Sequence, residues 1–287
     1  LDEAMKAGFG WELGPFEIWD AIGIKEGITN IEKANLTVPD WVKSFAKENE
    51  SFYRISEGKS NFYDIKAKKF QPISGSNDVI SLSTLDSSKT IWKNEEASIQ
   101  DIGDGIINVT FHSKMNTIGG GILSAINTAI DFAEEGQFKG IVISNEGANF
   151  SAGANVGMIF MMAAEQDYDE LNLAVKGFQQ TTMRIRYSSI PVVAAPHGMT
   201  LGGGCEICMH ADKVIAHAET YMGLVEFGVG LIPGGGGTKE MVLRFSDELK
   251  SGDMRINRFR EKFLTIGQAK VSTLSLIHIS EPTRPFH

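Results

Sequence analysis

Glycine is unevenly distributed in this 287-residue sequence, and its concentration points to a ligand site. Of 31 glycines, 11 lie between Gly198 and Gly237. Glycine permits backbone torsions and close approaches that other residues do not, so we expect a ligand to touch main chain in this stretch. The triplet at 202–204 follows a predicted strand and opens the short predicted helix Cys205–His210. Its N–H groups are therefore free to face negative charge.

Two carboxyl groups, Glu206 and Glu226, lie in the same stretch among glycines and apolar residues. Most glutamates are solvated surface groups, and this local context argues against that interpretation for both. Carboxyl groups in a partly desolvated pocket can serve as general acid and general base. We therefore treat both as candidate catalytic residues.

The glycine-rich stretch does not match the usual phosphate-binding loops. GGGGTK (234–239) places threonine before lysine, the wrong order for a nucleoside-triphosphate loop. GVGLIPG (228–234) misses the dinucleotide-binding spacing by one residue and contains a proline. Neither motif supports a nucleotide site.

The only two cysteines, Cys205 and Cys208, form one CxxC motif. A metal site would need His210 or His217 to complete it, and no second CxxC exists, so we predict buried thiols and no metal. Nothing in the cysteine count indicates secretion, and we expect a cytoplasmic protein.

Ser151, His197 and Asp212 supply the three residue types of a Ser-His-Asp catalytic triad, so this alternative has to be considered. Such triads are defined by geometry that a sequence cannot show. No nucleophile-elbow motif surrounds Ser151, which argues against this interpretation.

Strands and helices alternate after about residue 99, and this pattern must position the candidate residues. Four short apolar runs have strand length: IINVTF (106–111), GIVIS (140–144), PVVAAP (191–196) and KVIAHA (213–218). Apolar residues at helical spacing predict helices over 122–133 and 171–185. The alternation predicts an α/β fold with mainly parallel strand pairing.

The rest of the chain differs in character. Residues 1–50 predict short packed helices, and 51–98 are polar and predict a connector with a little extended structure.

The net charge of −9 argues against nucleic-acid or anionic-membrane partners. The sequence contains no run of 18 apolar residues, so no membrane span is predicted. The run LSLIHISEPTRPFH loses all periodicity and resembles a translated sequencing adapter, so we interpret 273–287 as a non-native tail.

Three motifs in order resemble the crotonase (enoyl-CoA hydratase/isomerase) superfamily. They are GANFSAGAN (147–155), PVVAAPHGMTLGGGCE (191–206) and YMGLVEFGVGLIPGGGGTKE (221–240). The resemblance covers about 99–272 and implies a ββα spiral fold, truncated at its C-terminal end. It also implies an acyl-CoA substrate, no cofactor in this domain, and a trimer-type homo-oligomer in the intact protein.

The resemblance assigns roles to individual residues. It implies that Glu206 and Glu226 are the catalytic hydratase glutamates, and that the N–H groups of Ala154 and Gly203 form the oxyanion hole for the thioester. Asn155 stands where many hydratases have aspartate, which puts the contacts beside the hole in doubt. The acyl-CoA-contacting positions implied by the family are Lys114, Met115, Ala152, Gly153, Asn155, Gly202 and Val225.

The N-terminal stretch DEAMKAGFGWELGPFEIWDAIG (2–23) resembles the C-terminal helical module of 3-hydroxyacyl-CoA dehydrogenases. Dehydrogenase followed by hydratase is the order of one class of bacterial β-oxidation fusion proteins. We therefore expect a fragment of such a bifunctional enzyme, hydrating trans-2-enoyl-CoA to 3-hydroxyacyl-CoA, with NAD used by the missing dehydrogenase half. The alternatives are an inactive CoA-binding remnant, or another crotonase-fold reaction such as enoyl-CoA isomerisation.

Overall fold

The computed structural model describes residues 1–56, 58–75 and 79–272, so the predicted tail at 273–287 lies outside the described residues. The chain divides into two compact units between Asp86 and Ser87. No helix within the described ranges is both long enough and apolar enough to cross a membrane.

The first unit begins with four helices, as the sequence predicted for residues 1–50. They are α1 (Asp2–Phe9), α2 (Pro15–Ile22), α3 (Ile24–Lys33) and α4 (Asp40–Glu48). Helix α2 begins with proline at its first position, where the missing N–H is harmless, and the Glu17 carboxylate accepts a hydrogen bond from the Gly14 N–H at 2.7 Å.

The polar stretch after α4 was predicted to be a connector with a little extended structure, but its first part forms three strands that belong to the first unit. Strands β1 (Tyr53–Ser56), β2 (Lys59–Asp64) and β3 (Lys69–Pro72) form an antiparallel sheet in the order β1-β2-β3. Phe52 enters the helical core and stacks on Phe45 at a ring-centroid distance of 4.9 Å. The sheet therefore belongs to the helical unit and is packed against it by aromatic side chains. The polar composition of 51–98 gave no sign of this packing.

Asp2 is a buried carboxylate in this unit, 3% exposed, and its oxygens are fully engaged. It accepts hydrogen bonds from the Phe16 N–H at 3.1 Å, the Glu17 N–H at 3.2 Å and the Tyr53 hydroxyl at 2.7 Å. Two of these donors belong to the first turn of α2, where a negative charge is stabilised by the helix dipole. Asp2 thereby links the N-terminus of α2 to the first strand of the sheet.

The strands of the second unit are β4 (Thr90–Lys93), β5 (Ala97–Gly103), β6 (Ile106–Phe111), β7 (Gly140–Ile143), β8 (Val192–Ala194), β9 (Gly198–Leu201), β10 (Lys213–Val214) and β11 (Thr220–Gly223). Six of them form a sheet in the order β10-β8-β7-β6-β5-β4. Strands β4 to β6 pair antiparallel, and β6, β7, β8 and β10 pair parallel. A separate parallel pair joins β9 to β11.

The six helices in the described part of this unit complete the predicted α/β architecture, and the first of them packs on the six-stranded sheet. They are α5 (Gly120–Glu134), α6 (Val156–Ala164), α7 (Tyr168–Arg186), α8 (Gly203–His210), α9 (Gly237–Glu248) and α10 (Arg255–Gly267). The alternating pattern placed α5, α7 and β6 correctly, because their apolar residues do form the core: Ile126 and Ile185 are at most 1% exposed, and Ile107 is fully buried.

Two strand predictions need correction. The run 213–218 forms a strand only at Lys213–Val214, which pairs with β8; beyond it the Ile215 and His217 N–H groups still donate to the Ala194 and Pro196 carbonyls at 2.8 and 2.9 Å. Strand β9 (Gly198–Leu201) lies directly before the glycine triplet, where a strand was expected, but its residues were not among the four predicted apolar runs, because glycine is rare in strands. This strand leads directly into the candidate site.

Candidate active site

The first predicted oxyanion segment is held by backbone pairing to β9. The Ser151 N–H donates to the Met199 carbonyl at 3.0 Å, and the Leu201 N–H donates to the Ser151 carbonyl at 2.9 Å. Gly153 follows with φ +95°, and a Cβ atom there would lie 2.9 Å from the Leu201 oxygen and 3.3 Å from the Gly203 nitrogen. Glycine is required at this position, and its absent side chain lets the two predicted segments touch.

The second predicted oxyanion segment is the start of α8. Gly202 has φ +52° and ψ −122°, a conformation open to glycine, and its N–H donates to the Gly223 carbonyl at 2.9 Å. Gly203 is the first residue of the helix, so its N–H has no partner within the helix. Within the described ranges neither the Gly203 nor the Ala154 N–H donates to a protein acceptor. Both donors remain available for a ligand oxygen.

Glu206 lies one turn into α8 and is 3% exposed. Its carboxylate accepts a hydrogen bond from the Gly237 N–H at 2.8 Å, where the glycine-rich turn enters α9. Burial raises the pKa of Glu206 to about 7, the Gly237 hydrogen bond works against that rise, and the nearby Glu226 charge adds to it. Near neutral pH this carboxyl group can therefore both hold and release a proton.

Glu226 opens a single 3₁₀ turn, Glu226–Val229, directly after Val225. Both carboxylate oxygens are buried and have no hydrogen-bond partner within the described part of the chain. A Cβ atom on Gly202 would lie 3.3 Å from Oε1 of Glu226, so this carboxyl group lies beside the backbone that carries the Gly203 N–H. Burial raises the pKa of Glu226 above its ordinary value.

The predicted acyl-CoA-contacting residues Lys114 and Met115 lie in a 3₁₀ turn that contacts the first oxyanion segment. The Met115 carbonyl accepts from the Ala152 N–H at 3.2 Å, and the Met115 side chain is 57% exposed. Asn155 is the N-cap of α6, and its side-chain oxygen accepts from the Met158 N–H at 3.2 Å. An amide oxygen caps a helix as a carboxylate does, which accounts for asparagine at this position.

The structure separates the residues of the hypothetical triad. The Ser151 hydroxyl donates to the Asn116 carbonyl at 2.7 Å, and Nε2 of His197 contacts the Gly147 oxygen at 2.9 Å. The Asp212 carboxylate accepts from the Val192 N–H at 2.7 Å. Each side chain is thus committed to a different backbone group, and the triad interpretation fails.

Cys205 and Cys208 are both buried and unpaired, and burial raises the pKa of each thiol. The described ranges contain no group of three or more His, Cys, Asp or Glu side chains arranged to hold a metal. Both thiols fit the predicted role of small apolar core groups.

Sequence reasoning missed a buried charged cluster next to Glu206. Glu240 in α9 is fully buried and pairs with Arg186 at 2.6 Å and Lys239 at 2.9 Å, and His210 lies 3.7 Å away. The spacing of His210, four residues after Glu206 on a helix, was a signal for part of it. Arg186 and Glu240 are 54 residues apart, and no local pattern predicts their pairing.

Sequence comparisons identify proteins to which this chain is similar. Residues 101–246 match the sequence profile of the family described as enoyl-CoA hydratase/isomerase, just over half of the chain. A Bacillus subtilis protein named "Probable 3-hydroxyacyl-CoA dehydrogenase" is 44% identical over 274 residues, covering 95% of this chain and 34% of that protein. The fatty acid oxidation complex subunit alpha of Idiomarina loihiensis is 34% identical over 148 residues, covering 50% of this chain and 20% of that protein.

Solved structures support the fold as well. An enoyl-CoA hydratase from Polaromonas superposes with a TM-score of 0.55 at 22% identity, covering 64% of this chain and 67% of that one. The predicted crotonase-like fold is confirmed. This chain spans about a third of the length of the Bacillus subtilis relative. The chain belongs to the enoyl-CoA hydratase/isomerase family.

Proposed function

We propose that the second unit adds water to trans-2-enoyl-CoA and produces 3-hydroxyacyl-CoA. The observation that carries the proposal is the pair of desolvated carboxyl groups beside two available N–H donors. Among the described residues, both oxygens of Glu226 are buried without a hydrogen-bond partner, and the Glu206 carboxylate accepts from the Gly237 N–H of the glycine-rich turn. A buried carboxylate without donors is costly, which favours a role that requires it to face a ligand or a water molecule.

The proposed chemistry assigns work to each group. The N–H groups of Ala154 and Gly203 donate to the thioester oxygen and stabilise the enolate, at roughly 3–4 kcal/mol for each donor by analogy with other oxyanion holes. One carboxylate takes a proton from water as its oxygen adds to Cβ, and a protonated carboxyl delivers a proton to Cα. The sum of these steps is the addition of one water molecule across the double bond.

Lys114, Met115 and Val225 would contact the acyl-CoA along the edges of this site. The turn of Lys114 and Met115 packs on the first N–H segment, and Val225 directly precedes Glu226. Ala152, Gly153, Asn155 and Gly202 would contribute backbone to the same surface.

The test is to follow the conjugated thioester absorbance of crotonyl-CoA after addition of the protein. Hydration removes the absorbance and yields 3-hydroxybutyryl-CoA, which chromatography identifies. Isomerisation would instead raise this absorbance from a 3-enoyl-CoA substrate without adding water. Binding of a saturated acyl-CoA without any turnover would identify an inactive CoA-binding protein.

We further propose that the whole protein is a bifunctional dehydrogenase/hydratase that forms a homo-oligomer of the trimer type. The support is the dehydrogenase name of the Bacillus subtilis relative, whose similarity extends over 95% of this chain. In the whole protein NAD would serve the dehydrogenase half. The expected result is NADH formation from 3-hydroxyacyl-CoA and NAD, together with an oligomeric mass in solution; absence of NADH formation would reject the bifunctional proposal.

A further inference from the structure

The carboxylate of Glu206 depends on the glycine-rich turn for its position. Its hydrogen-bond donor is the Gly237 N–H, at 2.8 Å from Oε1. The turn also closes around it, since a Cβ atom on Gly235 would lie 2.6 Å from Oε2 and one on Gly237 would lie 3.0 Å from Oε1. A shift of this turn by a few tenths of an ångström would therefore move or release the carboxylate.

The turn is anchored to the last turns of α7, where the Gln179 side-chain amide donates to the Gly234 carbonyl at 2.8 Å. The Thr182 hydroxyl lies 2.7 Å from the Gly235 carbonyl, in a fully buried contact. One helical turn later, Nη2 of Arg186 pairs with Oε2 of Glu240 at 2.6 Å. The Glu240 N–H in turn donates to the Gly236 carbonyl at 2.9 Å. Glu240 thus connects a charged group on α7 to the residues that hold Glu206.

His210 closes the connection from the side of α8. It is fully buried, and its Nδ1 lies 2.6 Å from the Glu206 carbonyl, which can only accept, so Nδ1 carries the proton. Nε2 lies 3.1 Å from Nζ of Lys239 and accepts from it in the neutral ring. Burial lowers the pKa of His210 to about 4, in agreement with a neutral ring. The ring also touches the turn, since a Cβ on Gly236 would lie 2.7 Å from Cε1.

The fully buried Glu240 carboxylate has no place in the proposed chemistry. It is 0% exposed, and the cations Arg186 and Lys239 neutralise it. A buried ion pair is weak evidence for stability alone, because apolar residues can replace such pairs without loss. Its charged partners lie on three helices: Arg186 on α7, His210 on α8, and Lys239 and Arg244 on α9, with Arg244 at 3.9 Å.

From this geometry we propose that Glu240 is a positioning residue for Glu206: paired with Arg186, it fixes the glycine-rich turn so that the Gly237 N–H holds the Glu206 carboxylate. Glu240 touches no substrate in this arrangement. The kinetic part of the inference rests on the proposed hydratase function.

The test replaces Glu240 by Gln in the whole protein, with Glu248→Gln as the matched control. Glu248 lies on the same helix and pairs with Lys262 at 3.1 Å, about 16 Å along the helix from the turn. Glu240→Gln is expected to lower kcat by about 10–100-fold, as small displacements of a catalytic group do, while binding of a saturated acyl-CoA changes less than about twofold. The control is expected to keep the wild-type kcat.

A second background separates positioning from a general structural defect. In a Glu206→Gln protein, adding Glu240→Gln should lower kcat by no more than about twofold, because the residue through which it acts is already gone. An equal loss of kcat in both backgrounds would overturn the proposal. If Glu240→Gln does not fold, Thr182→Val loosens the same turn more gently and must show the same dependence on Glu206.

A titration independent of activity tests the same inference. The groups around Glu206 that titrate or carry charge are Glu226, Cys205, His210, Lys239, Glu240, Arg186 and Arg244. Removing the Glu240 charge alone would lower the pKa of Glu206, because nearby cations remain. Losing the Gly237 hydrogen bond would raise it, because that bond favours the ionised form.

We expect NMR of isotope-labelled glutamate to show a raised Glu206 pKa in Glu240→Gln, with the resonance assigned from its absence in Glu206→Gln. An unchanged or lowered value would overturn the proposal even in a protein without hydratase activity. Failure of the wild-type protein to hydrate crotonyl-CoA would reject the proposed function alone.

Discussion

Asp2 in the first unit and Glu226 in the second are both removed from water, and their surroundings differ completely. Asp2 accepts three hydrogen bonds, two from the first turn of a helix and one from a tyrosine. Glu226 accepts none within the described part of the chain. The first arrangement stabilises the ionised carboxylate, whereas the second leaves a polar group unsatisfied unless a ligand or water molecule supplies the partner.

Glu206 lies between these two extremes. The Gly237 N–H supports its carboxylate, and burial still raises the pKa of Glu206 to about 7. Asp2, with three hydrogen-bond donors, thus joins elements of the fold. Glu206 and Glu226 have fewer donors among the described residues and lie near the available N–H groups. The difference distinguishes structural from candidate catalytic carboxyl groups more clearly than burial does.

The largest expected effect is on turnover. Glu226→Gln keeps the size of the side chain and removes the titrating proton, so kcat for enoyl-CoA hydration should fall by about 10²–10⁴-fold. Binding of a saturated acyl-CoA, measured by calorimetry, should barely change. The matched control is Glu219→Gln, an exposed residue shortly before Glu226 in the chain, which should keep wild-type turnover. A Glu226→Gln protein with normal kcat would remove this residue from the mechanism.

The next effect concerns stability and pH. The pKa of Glu206 is about 7 in the folded chain against an ordinary value of 4.5, so the folded state retains a proton that the unfolded state loses between these values. Stability contributed by the protonated form is therefore complete below about pH 4.5 and declines as the pH rises through 7.

Glu206→Gln does not titrate, so its free energy of unfolding relative to wild type should rise by up to about 3 kcal/mol between pH 4.5 and 8. Chemical denaturation at several pH values measures this difference. A difference that stays constant with pH would show that Glu206 has an ordinary pKa.

The smallest expected effect is in the first unit, where the substitution should lower the free energy of unfolding instead of raising it. Asp2→Asn places an amide N–H₂ group against backbone donors, so unfolding of this unit should become easier by about 1–3 kcal/mol. Hydration kcat should not change. Glu3→Gln is the control, since the Glu3 side chain is 87% exposed and pairs with Lys6 on the same helix. An unaltered melting curve for Asp2→Asn would show that the three hydrogen bonds add no net stability.

Local patterns in the sequence predicted much of the second unit. The apolar run 106–111 is strand β6, and the helical spacing over 122–133 and 171–185 corresponds to α5 and α7. The glycine triplet lies against Gly153 because neither side has a side chain, and Oε1 of Glu226 lies beside Gly202. These features were predictable because each is determined by neighbours in the chain or by the absence of a side chain.

Features that depend on distant partners were not predictable. The sheet β1-β2-β3 is polar along its sequence, and its place in the first unit depends on aromatic contacts such as Phe45 with Tyr63 at 4.3 Å. The pairing of Arg186 with Glu240 joins two helices, and neither residue signals the other. The absence of donors to Glu226 among the described residues is likewise a property of the packed structure.

The proposed chemistry uses Glu206 and Glu226 in the addition of the same water molecule, one taking its proton and the other protonating Cα, and a double-variant measurement tests this shared-water mechanism most directly. The rate of crotonyl-CoA hydration is measured for Glu206→Gln, Glu226→Gln and the protein carrying both changes. If the residues act as a unit, the double variant should be at most a few-fold slower than the slower single variant. If the two losses multiply instead, the glutamates do not share a step, and the shared-water mechanism is contradicted.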